Sequence, residues 1–197
     1  MHLTNNDFAG SHFAFTEAFF GAHEVSGILS CFEQRIAWRQ DELRVFGRLH
    51  KIPRLHQWFA DTGLSYRWSG ITLQPEPWFA ELNAVRERVS AAAHTPFNSV
   101  LINYYRDGND SMGWHSDDEP ELGPFPVIAS LSLGATRDFK LRPKAGVTAQ
   151  PQTLVLHSGS LLVMSGRSQR DWQHSLPKRK RVVEPRINLT FRQIIAE

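Results

Sequence analysis

The segment GWHSDDEPE, residues 113–121, places a histidine, a hydroxyl and three acids within five positions. Alternate residues of an extended strand point to the same side, so His115 and Asp117 could both reach one metal ion from a strand end. His-x-Asp matches also arise by chance, and Asp118 and Glu119 suit a solvated turn. The segment alone therefore leaves a metal site and an ordinary acidic turn open.

A third metal ligand is available among the nine histidines of the chain. His157 lies within TLVLHSGSLLV, and His174 lies within DWQHSLP, just before a proline turn. Two histidines and one carboxylate, with coordination positions left open, are typical of non-haem Fe(II) oxygenases. The open positions are needed because a co-substrate and dioxygen must both bind the iron. His115, Asp117 and a later histidine would supply this ligand set.

The segment PRINLTFRQ alternates polar and apolar residues as a strand does. Its polar positions are Arg186, Asn188, Thr190 and Arg192, and its apolar positions are Ile187, Leu189 and Phe191. One interpretation is an edge strand with a solvated polar face. The other is a strand whose polar face looks into a pocket, where buried arginines need anionic partners. A dicarboxylate co-substrate is such a partner, because arginine binds carboxylates bidentately.

The composition is that of an ordinary globular protein. The chain has 197 residues, of which 41% are hydrophobic and 21% charged, and its net charge is +2; this length fits one domain with a sizeable core. Its single cysteine excludes an internal disulfide and a Cys-rich zinc module. The chain shows neither an apolar run of membrane-spanning length nor a signal peptide, so we expect an intracellular, cytoplasmic protein. Nothing in the sequence suggests an oligomer, so we expect a monomer.

Two helices followed by many short strands are predicted along the chain. The helical segments are GAHEVSGILSCFEQ and PEPWFAELNAVRERVSAAAH, the second with Pro77 in its first turn. The strand segments are NSVLINYY, PVIASLSLG, RDFKLRP, QTLVLHSGSLLVMSG and RINLTFRQII. Residues 1–20 are an arm rich in aromatic side chains. This order predicts a sandwich or jelly roll with helices packed outside. Residues 1–96 would supply the helices and a substrate-facing cover, and residues 97–197 the β core.

Several of these segments together resemble one known family. The blocks NSVLINYYRDGNDSMGWHSDDEPELG, PVIASLSLGATRDFKLRPK, HSGSLLVMSG, WQHSLPKRK and PRINLTFRQ are similar, in order, to blocks of the AlkB family of Fe(II)- and 2-oxoglutarate-dependent dioxygenases. The resemblance covers about residues 38–195 and is closest to the branch that repairs duplex DNA. It implies one α+β domain: a double-stranded β-helix, or jelly-roll, core with N-terminal supporting helices and a hairpin nucleotide-recognition lid.

The resemblance also assigns site residues. It implies that Fe(II) is bound by His115, Asp117 and His174, and that His157 is structural. For 2-oxoglutarate it implies Asn103, Tyr105, Arg186, Asn188 and Arg192, with Arg186 at the far carboxylate. Asn103 and Tyr105, two apart in a strand, can share one face. The alternative for the RxNxTxR residues is a hydrogen-bond network that only shapes the strand.

The implied reaction is oxidative demethylation of N-alkylated bases such as 1-methyladenine and 3-methylcytosine in DNA. It consumes O2, converts 2-oxoglutarate to succinate and CO2, and releases formaldehyde. Such repair would place the protein at the nucleoid of a bacterium or in a eukaryotic nucleus. Two alternatives stay open: the same chemistry on methylated RNA or single strands, and a non-catalytic β-sandwich that binds nucleic acid.

Contacts to the nucleic acid are predicted at three places. The segment LRVFGRLHKIPR predicts a hairpin with Val45 and Phe46 near its tip, where an apolar wedge could separate bases, and with cations including Arg44, Arg48 and Arg54 around it. An alternative packs Phe46 into the core. Trp68, with Ser69 beside it, and Glu119 match family positions that face the flipped base. The run KRKR, which begins with Lys178 and Arg179, would contact phosphates.

Overall fold

The structure, a computed structural model, describes residues 4–8, 11–45, 48–64, 66–68 and 71–195. For residues 4–8, 43–45, 66–68 and 71–73 it describes the backbone alone. Within these ranges, no helix is both long enough and apolar enough to cross a membrane.

The larger of two main sheets has seven antiparallel strands. They are β1 (Thr4–Phe8), β2 (Ser11–Thr16), β5 (Leu55–Ala60), β8 (Ser99–Tyr105), β10 (Ile128–Gly134), β13 (Leu161–Gly166) and β15 (Arg186–Arg192). Their spatial order is β1-β2-β13-β10-β15-β8-β5. Strand β15 lies between β10 and β8 and all seven of its residues are buried. The interpretation of this segment as an edge strand with a solvated face is therefore wrong.

The smaller sheet has four antiparallel strands. They are β9 (Met112–His115), β11 (Arg137–Pro143), β12 (Gln152–Leu156) and β14 (Trp172–Leu176), in the order β12-β11-β14-β9. Two hairpins stand apart from both sheets: β3 (Glu42–Val45) with β4 (Arg48–Lys51), and β6 (Tyr66–Trp68) with β7 (Ile71–Leu73). Val45 pairs with Arg48, which confirms the predicted pairing of the two strands, and residues 46 and 47 between them lie outside the described residues.

Two of the three α-helices in the described part of the chain, α1 (Ala22–Arg35) and α2 (Ala80–Ala93), cover the outer face of the larger sheet. Their predicted apolar stripes are buried there, including Val25, Phe32 and Leu82. Pro77, predicted in the first turn of the second helix, instead lies before it. The backbone N–H of Glu76 donates to Trp58 O at 2.9 Å, and this bridge keeps the chain extended up to Phe79. The third helix, α3 (Ser168–Asp171), and a 3-10 helix (Pro120–Leu122) are single turns.

Because polar and apolar residues alternate along β15, its apolar side chains lie on one face of the larger sheet and its polar side chains on the other. Ile187, Leu189 and Phe191 pack between the larger sheet and the helices. Arg186, Asn188, Thr190 and Arg192 face a cavity on the other side, between the two sheets. This two-sheet arrangement with outer helices confirms the predicted α+β jelly-roll fold. The arm of residues 1–20 contributes β2, which pairs with β13, so the larger sheet draws strands from both halves of the chain.

Candidate metal centre and co-substrate pocket

Three predicted metal ligands converge at one end of the smaller sheet. His115 ends β9, Asp117 lies two residues beyond it, and His174 is the cross-strand partner of His115 in β14. Their ligating atoms all lie within 4.8 Å of one another. The strand-end geometry expected from the spacing of two is therefore present, and β14 supplies the third side chain.

The charges of the cluster suit a divalent cation. Burial would raise the pKa of Asp117, but Arg192, with the two histidines, outweighs burial and holds that pKa below its ordinary value. Arg192 Nη2 donates to Asp117 Oδ1 at 2.7 Å. Burial, together with His115, lowers the pKa of His174 to about 3, so the imidazole is neutral at neutral pH. His115 Nδ1 lies 2.9 Å from Gly113 O, which leaves Nε2 free to face an ion.

The loop that carries Asp117 is fixed by residues that sequence reasoning missed. The backbone N–H of Asp117 donates to Gln169 Oε1 at 2.9 Å, and Gln169 is buried in α3. Ser116 Oγ donates to Trp172 O at 2.7 Å, and Asp118 pairs with Lys144 at 3.2 Å. Ser116 and Asp118 thus support the turn that carries Asp117. The role of Gln169 had no sequence signal, because the four-residue helix α3 is too short to show periodicity.

All five predicted 2-oxoglutarate residues line the cavity that also contains the metal ligands. They are Asn103, Tyr105, Arg186, Asn188 and Arg192. The register of β8 and β15 explains this, because Asn103 pairs with Asn188 and Tyr105 with Arg186. Directly opposed residues of two antiparallel strands point to the same face.

Arg186 is fully buried at the end of this cavity. Its Nη2 donates to Ser132 Oγ at 2.8 Å and to Asn188 Oδ1 at 2.7 Å. Its Nε is buried without a hydrogen-bond partner among the described residues. Burial lowers the pKa of Arg186 to about 10, so the guanidinium is still charged at neutral pH. Asn188 also donates to Thr190 Oγ1 at 2.8 Å, so this asparagine orients Arg186 as well as lining the cavity.

Arg54, which the sequence placed among the hairpin cations, is instead buried beside the pocket. It is 3% exposed, and its Nε donates to Asn103 Oδ1 at 2.9 Å. Because Arg54 occupies the amide oxygen, the Nδ2 donors of Asn103 remain to face a carboxylate. The contact depends on the pairing of β5 with β8, two strands far apart in sequence, so residue spacing alone could not reveal it.

The predicted nucleic-acid contacts lie around the hairpins and the segment after β14. Arg44, Val45 and Trp68 lie in β3 and β6, where the backbone alone is described, and Phe46 and Ser69 lie outside the described residues. Arg48, Lys178 and Arg179 are exposed. Arg179 pairs with Asp138 at 2.7 Å. Glu119 is half-buried and precedes the 3-10 helix.

His157, which the family resemblance excludes as a metal ligand, lies just beyond β12 and is exposed. Its Nδ1 is 3.4 Å from Thr136 Oγ1. The metal-capable group among the described residues consists of His115, Asp117 and His174, so the geometry selects His174 as the later histidine.

Comparison with known proteins agrees with this geometry. A model of the 2OG-Fe(II) oxygenase superfamily matches residues 13–192. The chain is 44% identical over 185 residues to DNA oxidative demethylase ALKBH2 of Mus musculus, covering 89% of this chain and 77% of that protein. The chain belongs to the AlkB family of Fe(II)/2-oxoglutarate-dependent dioxygenases. This AlkB-family protein is also 40% identical over 184 residues to alpha-ketoglutarate-dependent dioxygenase alkB homolog 3 of Homo sapiens, covering 89% of this chain and 64% of that one.

A solved structure supports the fold independently. "The structure of OsALKBH1" matches with a TM-score of 0.66 and 18% identity, over 96% of this chain and 99% of that one. The resemblance to the AlkB family and the predicted jelly roll are both confirmed.

The residues present fit the Fe(II) and 2-oxoglutarate that the AlkB family implies. Two imidazoles and one ionised carboxylate form the donor set typical of non-haem Fe(II). The buried Arg186 Nε, unsatisfied within the described chain, is a donor that a carboxylate would complete. Residues that fit a cation and a residue that fits a carboxylate therefore line one cavity.

Proposed function

We propose that this protein reverses alkylation damage in DNA by oxidative demethylation of bases of the 1-methyladenine and 3-methylcytosine type. The observation that carries the proposal is the His115–Asp117–His174 cluster, which shares a cavity with Arg186. The similarity to proteins named DNA oxidative demethylase supports DNA as the substrate. We infer that the chain works as one catalytic domain and as a monomer, in the cytoplasm or, in a eukaryote, in the nucleus.

Each wall of the cavity has a separate task in this chemistry. His115, Asp117 and His174 would hold Fe(II), which when bound supplies oxidation of an N-linked methyl group with O2, coupled to decarboxylation of 2-oxoglutarate to succinate and CO2 and to release of formaldehyde. Arg186 would hold the far carboxylate of the co-substrate, and Asn103 and Tyr105 would contact it from the neighbouring strand. Arg192 keeps Asp117 ionised and oriented. No side chain of unusual pKa is needed as a general base.

The damaged base must leave the stack, because a methyl group on its Watson–Crick edge is hidden inside a duplex. Val45, the last residue of β3, and Phe46, the next residue in sequence, would enter the gap that the base leaves. Trp68 would stack on the extruded base, with Ser69 beside it, and Glu119 would accept a hydrogen bond from an exocyclic amine.

Arg44, Arg48, Lys178 and Arg179 would contact the phosphate backbone. Lys178 and Arg179 lie two and three residues after the end of β14, so they are close in sequence to the proposed ligand His174. Phosphate contacts orient the duplex without reading its sequence. The basic segment would therefore orient the DNA relative to the metal site without determining which base is repaired.

The proposal is tested with one methylated sequence offered in three forms: single-stranded DNA, duplex DNA and single-stranded RNA. Protein loaded with Fe(II) and supplied with 2-oxoglutarate should restore the unmethylated base in DNA and release formaldehyde. Faster turnover of the RNA than of either DNA form would show that RNA, and not DNA, is the preferred substrate. Absence of turnover on all three substrates would refute the enzymatic proposal and favour a non-catalytic protein that binds nucleic acid.

A further inference from the structure

The root of the β3–β4 hairpin is held by a buried side-chain pair that the proposed chemistry does not use. His56, in β5, is 2% exposed, and its Nε2 lies 3.1 Å from Asp41 Oδ2. Asp41 immediately precedes β3, and its side chain is 15% exposed. The pair thus joins the residue at which the hairpin begins to a strand of the larger sheet.

The pair is a hydrogen bond from a neutral ring. Burial lowers the pKa of His56, against the opposing effect of Asp41 and with help from the positive charges of Arg54 and Arg39. A carboxylate only accepts hydrogen bonds, so Nε2–H of the neutral imidazole is the donor. The side chain at position 41 must therefore offer an acceptor, and the side chain at position 56 a donor.

Backbone hydrogen bonds close the root around this pair. Arg39 and His56 exchange two of them, at 2.9 and 2.8 Å. Ile52 N donates to Asp41 O at 2.9 Å, and Gln40 Nε2 donates to Ile52 O at 2.9 Å. Beyond this root, residues 48–51 of β4 are all exposed. A lone two-stranded hairpin is marginally stable in water, so the direction of this hairpin depends on its root.

The same strand end also contacts the co-substrate pocket. His56 is the cross-strand partner of Asn103, and Arg54, two residues earlier, donates to the Asn103 amide oxygen. One short segment therefore contacts the pocket through Arg54 and the hairpin root through His56.

We propose that Asp41 and His56 are positioning residues for duplex DNA, because they fix the direction in which the β3–β4 hairpin extends toward the base stack. The inference rests on the proposed function and deepens it. A duplex must be opened by a wedge held in a fixed place, whereas a single strand offers its bases without one. Loss of the pair should therefore lower duplex repair and leave single-strand repair intact.

The test uses two disrupting variants, each with a matched variant that retains the hydrogen bond. Asp41→Ala removes the acceptor and Asp41→Asn keeps one; His56→Phe removes the donor and His56→Gln keeps one. For each full-length, Fe(II)-loaded protein, kcat/KM is measured on 3-methylcytosine in a single strand and in a duplex of the same sequence. The KM for 2-oxoglutarate and the melting temperature are measured in parallel.

The disrupting variants should lower the duplex-to-single-strand ratio of kcat/KM about tenfold, which corresponds to about 1.4 kcal/mol in the barrier. The matched variants should keep the ratio within about twofold of the original. Hydrogen exchange at the Ile52 amide should accelerate in Asp41→Ala, while amides of β8 keep their protection.

Two results would overturn the proposal. One is an unchanged ratio in both disrupting variants. The other is an equal fall on both substrates together with a raised KM for 2-oxoglutarate, which would show that the pair only supports the pocket. Failure of the unaltered protein to repair the single strand would instead refute the proposed function, and it is seen before any variant is compared.

Discussion

Asp117 shows how neighbouring residues can prepare a carboxylate to bind a metal ion. It is almost fully buried, which by itself favours the neutral carboxyl. Arg192 reverses that preference from 2.7 Å away. His174, buried as deeply, stays neutral. Both side chains are thus in their metal-binding protonation states at neutral pH, without release of a proton to make room for the ion.

Replacement of a ligand should remove both binding and activity. In Asp117→Ala and His115→Ala we expect demethylation to disappear, and Mn(II), used as a spectroscopic substitute for iron, to bind far more weakly. Titration with Mn(II) followed by electron paramagnetic resonance measures the binding. His157→Ala is the matched control, because this exposed histidine lies outside the cluster. Retained activity in either ligand variant would refute the assignment.

Arg54 and Arg48 should behave as opposites, although both lie in the basic segment around the hairpin. Arg54→Leu removes the donor that orients Asn103, so we expect the KM for 2-oxoglutarate to rise about tenfold, as for loss of a buried charge-assisted hydrogen bond. Arg48→Leu, at an exposed site, should leave that KM unchanged and weaken DNA binding. Succinate formation at varied 2-oxoglutarate separates the two. A KM for 2-oxoglutarate in Arg54→Leu equal to that of the unaltered protein would show that Arg54 does not contribute to co-substrate binding.

At the scale of elements, the basic segment after β14 depends on a close approach of two backbones. Gly108 N donates to Val182 O at 2.8 Å, and Arg179 N donates to Gly108 O at 2.7 Å. A Cβ at position 108 would lie 1.8 Å from the backbone oxygen of Arg179. Only glycine fits there, so the loop after β8 determines where Lys178 and Arg179 stand.

Gly108→Ala should therefore displace the basic segment. We expect a loss of about 1–3 kcal/mol in the free energy of unfolding, as for other overpacked sites, and weaker binding of DNA. Gly27→Ala, in an exposed part of α1 with nothing within 4 Å of the new Cβ, should instead preserve binding and slightly raise stability. Urea unfolding and a fluorescence binding assay measure both quantities. Unchanged DNA affinity in Gly108→Ala would show that the basic segment after β14 does not contribute to DNA binding.

Elements with strong periodicity could be predicted, and those fixed by distant contacts could not. The alternation from Arg186 to Arg192 predicted a strand with one polar face, and the stripe of Val25 and Phe32 predicted α1. Strand β2 was hidden in the aromatic arm, because its place beside β13 depends on residues about 150 positions away. Register likewise decided that Arg54 reaches Asn103, which sequence spacing does not reveal.

At the scale of the molecule, the net charge of +2 is too small to drive DNA binding by itself. Local cations must do so, and each phosphate contact should appear in the salt dependence of the affinity. We expect Lys178→Ala to lower the slope of log K against log salt by about one, equally for any duplex sequence. Glu121→Ala, an acid on the 3-10 helix, should not lower the slope. An unchanged slope in Lys178→Ala would show that Lys178 does not contact a phosphate of the DNA.

In the function proposed for this protein, one cavity couples decarboxylation of 2-oxoglutarate to removal of a methyl group from DNA. The most direct measurement follows succinate, formaldehyde and repaired base in one reaction, with Fe(II), 2-oxoglutarate, O2 and a 3-methylcytosine oligonucleotide. We expect repaired base and formaldehyde to appear in equal amounts, only when all four components are present, and His174→Ala to form neither. Repair that proceeds without 2-oxoglutarate, or iron-loaded protein that forms no formaldehyde, would contradict the proposed function.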